Sequence, residues 1–224
     1  MLFLAVLCGF LAEYQLEHKI EKDRERQFIK SLIADLTDDT SKIEDYIKNE
    51  HEKLALLDTL CYYLDDPELA KQNTDAIYYA ARVGPRTAPL INNSRTFDQL
   101  TYSGGFRLIH STGTSNKIMG YYSQLPMIRL LVSNFTREFD MYRIEAAKVI
   151  DPGILRKNEN PDGTIRRSTD HPPLLSYDRA QLKQVEFFAV QMNGSRRSLI
   201  PLMDSLKNSA FELAQYLGEK YHIK

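Results

Sequence analysis

"FIKSLIADLTDDTSKIEDYIKNEHEKLALLDTLCYYL", Phe28 to Leu64, carries the pattern that decides the fold. Apolar residues recur at Ile29, Ile33, Leu36, Ile43, Ile47, Leu54, Leu57, Cys61 and Leu64, in steps of three, four or their sum. That spacing keeps side chains on one face of an α-helix, so the stripe reads as the seam of a coiled coil or helical bundle. Thr40 and Glu50 interrupt it. The other faces carry both signs of charge. Asp38/Lys42 and Glu44/Lys48 sit four apart with the acid first, the favourable order on a helix. These charges read as a solvated face. Neither glycine nor proline occurs between Glu13 and Leu64, and one helix is expected across residues 13–64.

Upstream lies "MLFLAVLCGFLA", Met1 to Ala12, a run with no charge. It lacks the basic start and small-residue cleavage site of a secretory signal peptide, and Leu7 before Cys8 does not suit a lipoprotein signal. A spanning helix needs about 20 apolar residues. The run therefore reads as the end of a transmembrane helix whose first turns lie upstream. Residues 1–20 are the expected membrane-anchor segment, with residues 1–12 in the lipid bilayer. The alternative is a soluble helix buried in its own bundle or in a dimer.

Downstream, "DDPE" (Asp65–Glu68) ends the long helix, and Pro67 suits the first turn of the next, which runs to Gly84-Pro85. A short helix is expected from Ser94 or Thr96, and another from Thr114 or Ser115 to about Ile150, kinked at Pro126. Residues 153–173 read as a long mobile loop. Helix resumes after Asp178 to about Tyr221, broken or bent near Gly194 and Pro201. No β period and no internal repeat appear. The predicted architecture is all-α: a long membrane-anchored N-terminal helix packed into an antiparallel bundle of kinked helices, with residues 21–224 as the bundle domain.

The stretch with the most varied chemistry is "LTYSGGFRLIHS", Leu100 to Ser111. A phosphate cradle needs a longer glycine-rich loop opening a helix, usually with a lysine, and this spacing does not fit. Gly104-Gly105 reads instead as a left-handed helix stop. Phe106, Leu108 and Ile109 are then expected in the core, and "HSTGTS" (His110–Ser115) caps the next helix. Arg107, His110, Tyr121 and Tyr122 are the candidate ligand or partner contacts. Tyr78, Tyr79, Tyr121, Tyr122 and Tyr142 read as amphipathic core packing, with a ligand pocket between helices as the alternative.

Other chemistry is sparse. The five histidines include no pair spaced i,i+4 and no H-E-x-x-H. "NENPDGT" (Asn158–Thr164) begins like a calcium loop but places Thr169 where a bidentate Glu is required. Cys8 and Cys61 lack zinc-ligand partners and lie too far apart on one helix to pair. No nucleophile motif is present, and neither a cofactor nor a metal is expected. With 29 basic against 30 acidic residues, net charge −1, nothing points to nucleic acid.

The motif Thr96-Phe97, Leu100, Ser103-Gly104, Leu108-Ile109, followed by Tyr121-Tyr122, resembles the "TF/Y-x-x-L-x-x-S-G-x-x-x-L-I" signature of an uncharacterised bacterial family of small single-pass membrane proteins. The resemblance implies an inner-membrane anchor and a periplasmic helical domain; it implies no activity. The sequence therefore predicts a membrane-anchored, non-catalytic interaction or sensor module that meets a protein partner or its own copy. The alternative is a soluble helical scaffold or oligomerisation protein. An enzyme using Arg107 and His110 is the least supported reading.

Overall fold

The computed structural model describes residues 2–90 and 92–223, with side chains from Val6 onward. The protein is all-α. In chain order it forms α1 (Leu2–Leu64), α2 (Pro67–Gln72), α3 (Thr74–Val83), α4 (Arg95–Tyr102), a 3-10 turn (Gly105–Leu108), α5 (Thr112–Tyr122), α6 (Leu125–Ala146), α7 (Pro152–Lys157) and α8 (Arg179–Tyr221). The described residues contain no strand, only an isolated bridge between Glu159 and Ile165.

The chain divides into two compact units. The first comprises Met1–Lys42, Ile91–Leu125 and Ser205–Lys224; the second comprises Ile43–Leu90 and Pro126–Asp204. Both α1 and α8 supply residues to each. Unit one buries Leu32 and Leu36 of α1, Leu100 of α4, Ile118 of α5, and Leu206, Leu213 and Leu217 of α8. In unit two, Leu57, Leu60 and Leu64 of α1 belong to one core with Ile77, Tyr142, Val149, Leu182, Val185 and Met192.

The seam of α1 is more regular than the apolar pattern alone implies. Glu25, Ile29, Leu32, Leu36, Asp39, Ile43, Tyr46, Glu50, Leu57, Leu60 and Leu64 are all buried, stepping by fours and threes, with half-buried Lys53 filling the gap. Ile33, Leu54 and Cys61 sit one position off this line and are only half-buried. Glu50 does not interrupt the seam; it occupies it. The expectation that the helix charges are all solvated therefore fails at Glu25, Asp35, Asp39 and Glu50. The surface pair Asp38–Lys42 does form, at 2.6 Å.

Other expectations shift by a turn or so. The helix after Pro67 breaks at Asn73 into α2 and α3, and Pro67 sits at its first turn with Asp66 as cap. Pro126 is not a kink but lies in the first turn of α6, where its missing N–H costs nothing. Pro201 lies within α8, which runs unbroken past Gly194 as well. Asp151 caps α7, so the supposed long loop opens with a helix. A tight reversal follows, closed by Asn160 N–H to Thr164 O (2.9 Å) and Arg166 N–H to Asn158 O (2.9 Å).

No helix among the described residues is long and apolar enough to cross a membrane. The expected single-pass anchor, the bilayer contact through residues 1–12 and the inner-membrane location built on them are set aside. The apolar run is short, and Glu13, Glu17, His18 and Lys19 follow it within the same helix.

Leu57 is fully buried in unit two. Leu57→Ala should cost about 2–5 kcal/mol of unfolding free energy, measured by urea denaturation, because its neighbours are helix-bound and cannot collapse onto the void.

Candidate functional site

In unit one the two buried aspartates of α1 organise everything around the predicted tyrosines. Asp35 accepts hydrogen bonds from the Thr96 backbone N–H (3.2 Å) and hydroxyl (2.6 Å), and Arg95 approaches its other oxygen at 3.3 Å. It thus caps the first turn of α4 from another helix, satisfying an N–H that has no partner within α4. Asp39 accepts from the Asn93 N–H (2.6 Å) and from the Tyr121 hydroxyl (2.8 Å). Burial raises the Asp39 carboxyl above its ordinary value, against the pull of these two donors. Burial also raises the Tyr121 and Tyr122 phenols, reinforced by Asp39. Both stay protonated and act as donors.

Tyr122 donates to the Asn93 carbonyl at 3.2 Å and stacks on Phe97 with ring centroids 4.1 Å apart. Tyr121 meets Tyr122 edge to face at 4.9 Å, and Phe97 meets Phe106 likewise at 5.8 Å. The tyrosine pair, predicted as ligand contacts, is thereby occupied holding α4 and α5 to α1.

Arg107 and His110 lie elsewhere in this unit, and both are exposed. The Leu100–Ser111 stretch is a joint. Gly104 has φ +66°, the left-handed conformation, and no atom crowds its missing Cβ. Gly105 is buried, and a Cβ there would meet Leu100 Cδ2 and Ser103 Oγ at 3.1 Å. Leu108 and Ile109 are buried, Phe106 is half-buried, and Ser111, within the expected capping segment, caps α5, which starts at Thr112 rather than at Thr114 or Ser115. His110 is not alone: His18 of α1 stands 6.1 Å from it, ring to ring. Arg107 borders a shallow polar groove with Arg24 and Gln99, and no acid–base or nucleophile pairing forms around it.

Unit one also leaves the N-terminal end of α1 exposed, although His110 approaches it at His18. N-terminal to Glu25, steps of four and three join Glu21, His18, Tyr14, Leu11 and Leu7, a line shifted by one residue from the seam because two fours follow one another at Ile29, Glu25 and Glu21. The cover supplied by the end of α8 lies at Glu25 and Arg26. Tyr221 donates to Glu25 at 2.6 Å, and Arg26 donates to the His222 carbonyl at 3.1 Å. Every residue from Val6 to Ile20 is exposed. Phe10 and Val6 each show 66% of their surface, and Leu7 and Leu11 show 44% and 50%. The side chains of residues 1–5 lie outside the described residues.

In unit two, Arg196 of α8 is fully buried and donates to Glu50 at 2.7 Å, to the Gly84 carbonyl at 2.6 Å and to the Arg86 carbonyl at 2.8 Å. Its guanidinium also lies 4.6 Å from the Phe135 ring centre. Thr87 gives Glu50 a second bond at 2.8 Å. This cluster fixes the chain reversal after α3. Cys61, half-buried, has its thiol pushed up to about 12 by desolvation and stays neutral.

No family model matches the chain, and neither a curated protein nor a solved structure matches it.

If the Leu100–Ser111 stretch is a joint, Gly104→Ala should cost roughly 1 kcal/mol through its left-handed φ. Gly105→Ala should cost more, since buried neighbours must move. Arg107→Ala and His110→Ala should leave the thermal midpoint within a degree or two. A reversed order in differential scanning calorimetry would show that the exposed pair, not the glycines, holds this segment.

Proposed function

We propose that the chain is a non-catalytic helical scaffold that self-associates through the N-terminal end of α1. One observation carries the reading: the residues described from Val6 to Ile20 are exposed, large apolar side chains included, and Leu7, Leu11 and Tyr14 among them follow steps of four and three. Exposed apolar stripes at coiled-coil spacing are sites of helix pairing. Full burial of a Val, Leu or Phe side chain yields at least about 1.5 kcal/mol. Val6, Leu7, Phe10 and Leu11 together offer on the order of 6 kcal/mol before the cost of association.

A second copy suits this surface because residues 1–12 carry no charge, so two copies meet without like-charge repulsion. An antiparallel two-fold pair centred between Phe10 and Leu11 sets Leu7 against Tyr14 of the other chain. Glu13 and Glu17 then face uncharged positions near the ends of the contact. The non-catalytic part of the reading is supported by the use of the buried acids. Asp35, Asp39 and Glu50 each spend their oxygens on structural donors. Among the described residues, Arg107 and His110 pair with no buried carboxylate or nucleophile.

Sedimentation equilibrium tests this. The wild-type chain should form a dimer at about 100 µM. Leu7→Glu/Leu11→Glu should be monomeric with unchanged unfolding of the remaining helices. A wild-type monomer at that concentration, indistinguishable from the variant, would overturn the proposal.

A further inference from the structure

We propose that unit two holds a binding site for a small single-chain aliphatic carboxylate, in a cavity between α3, α6 and α7 whose apolar wall meets a cluster of three arginines. The cavity has a volume of about 260 Å³. Phe139 of α6, Ile150 of the connection that follows it and Leu155 of α7 form its apolar wall, and Arg82, Arg86 and Arg143 line it as well. A second hollow of about 400 Å³ shares Arg82, Arg86, Phe139 and Arg143, so the guanidinium groups stand where two hollows meet.

The charge count decides the ligand. Arg82 is paired with Glu159 at 2.8 Å and Arg143 with Asp140 at 2.5 Å. Arg86 has no ion pair among the described residues, and the one carboxylate that favours its charge, Glu159, is already engaged by Arg82. Two carboxylates against three guanidinium groups leave one positive charge beside an apolar cavity. The Nε of Arg82 is buried and has no hydrogen-bond partner. Arg86 is exposed and so open to a ligand; partial desolvation and then the neighbouring Arg82 charge lower its pKa from the ordinary value, and an added anion would offset both. A carboxylate matches guanidinium N–H groups in pairs, and an aliphatic chain matches the wall. The size falls at the small end of ligand pockets, which suits one short chain rather than a two-chain lipid.

The site is held by groups that the scaffold role does not use. Arg196, buried and paired with Glu50, donates to the Gly84 and Arg86 carbonyls and so fixes the backbone that carries the Arg86 side chain. Phe139 lies under Arg143, with the guanidinium 5.1 Å from its ring centre, which keeps that head beside the cavity. Because the cavity lies wholly in unit two and the exposed seam of α1 in unit one, neither proposal depends on the other.

Isothermal titration of the full chain with decanoate, below its micelle concentration, tests the assignment, with decan-1-ol as the uncharged probe. Decanoate should bind saturably at one per chain and at least tenfold more tightly than the alcohol. Arg86→Gln should remove that tenfold preference while leaving decanol binding unchanged. Ala147→Phe, at an exposed position lining the cavity, should weaken both ligands with the thermal midpoint preserved. Equal affinity for acid and alcohol, an Arg86→Gln variant that keeps the preference, or no saturable decanoate binding would each overturn the proposal.

Discussion

A buried carboxylate is tolerated only where donors converge on it, and α1 places four on its inward side: Glu25, Asp35, Asp39 and Glu50. Each is met by groups distant in the chain. Tyr221 reaches Glu25, Thr96 reaches Asp35, Asn93 and Tyr121 reach Asp39, and Arg196 with Thr87 reaches Glu50. An apolar seam alone would accept neighbouring helices in several registers, since one leucine fits nearly as well as the next. A carboxylate left facing apolar side chains costs several kcal/mol, so each of these contacts excludes the slipped arrangements. The helices of each unit are thus positioned by hydrogen bonds and stabilised by leucines.

The same constraint accounts for how the conspicuous polar residues of α5 and α8 are used. Tyr121 and Tyr122 are tethered, through Asp39 and the Asn93 carbonyl, to the segment that enters α4. Phenols raised by burial and bonded to a carboxylate and a carbonyl serve as fixed donors rather than as acids or bases. Arg196 is equally committed, with three hydrogen bonds and an aromatic face accounted for. What remains free of internal work is the uncovered end of α1 and the arginine-lined cavity of unit two.

Much of the fold was legible because helical periodicity is a local signal. The long N-terminal helix, the turn at Pro67, the cap at Ser111 and the left-handed Gly104 all follow from spacing and residue type. The seam was offset at Ile33 and Cys61 because apolarity marked the positions, whereas Leu32 and Leu60 are the ones fully buried and charged residues share their line. Nothing local distinguishes buried Asp39 from exposed Asp38; the difference lies in Asn93 and Tyr121, far along the chain. The break at Asn73 and the unbroken path through Pro201 are tertiary outcomes of the same kind. The apolar start suggested a membrane span by composition, but charge returns too soon along the helix for any described segment to serve as one.

The most direct test of the account is a double-mutant cycle on Glu50 and Arg196, which share the one fully buried ion pair among the described residues. If buried charges position these helices, Glu50→Gln and Arg196→Met should each lose about 3–5 kcal/mol by urea denaturation, because each strands its partner. The double variant should lose well under the sum, a coupling of more than about 1 kcal/mol. Single losses below about 1 kcal/mol that simply add would contradict the account and leave the apolar seam to set the register alone.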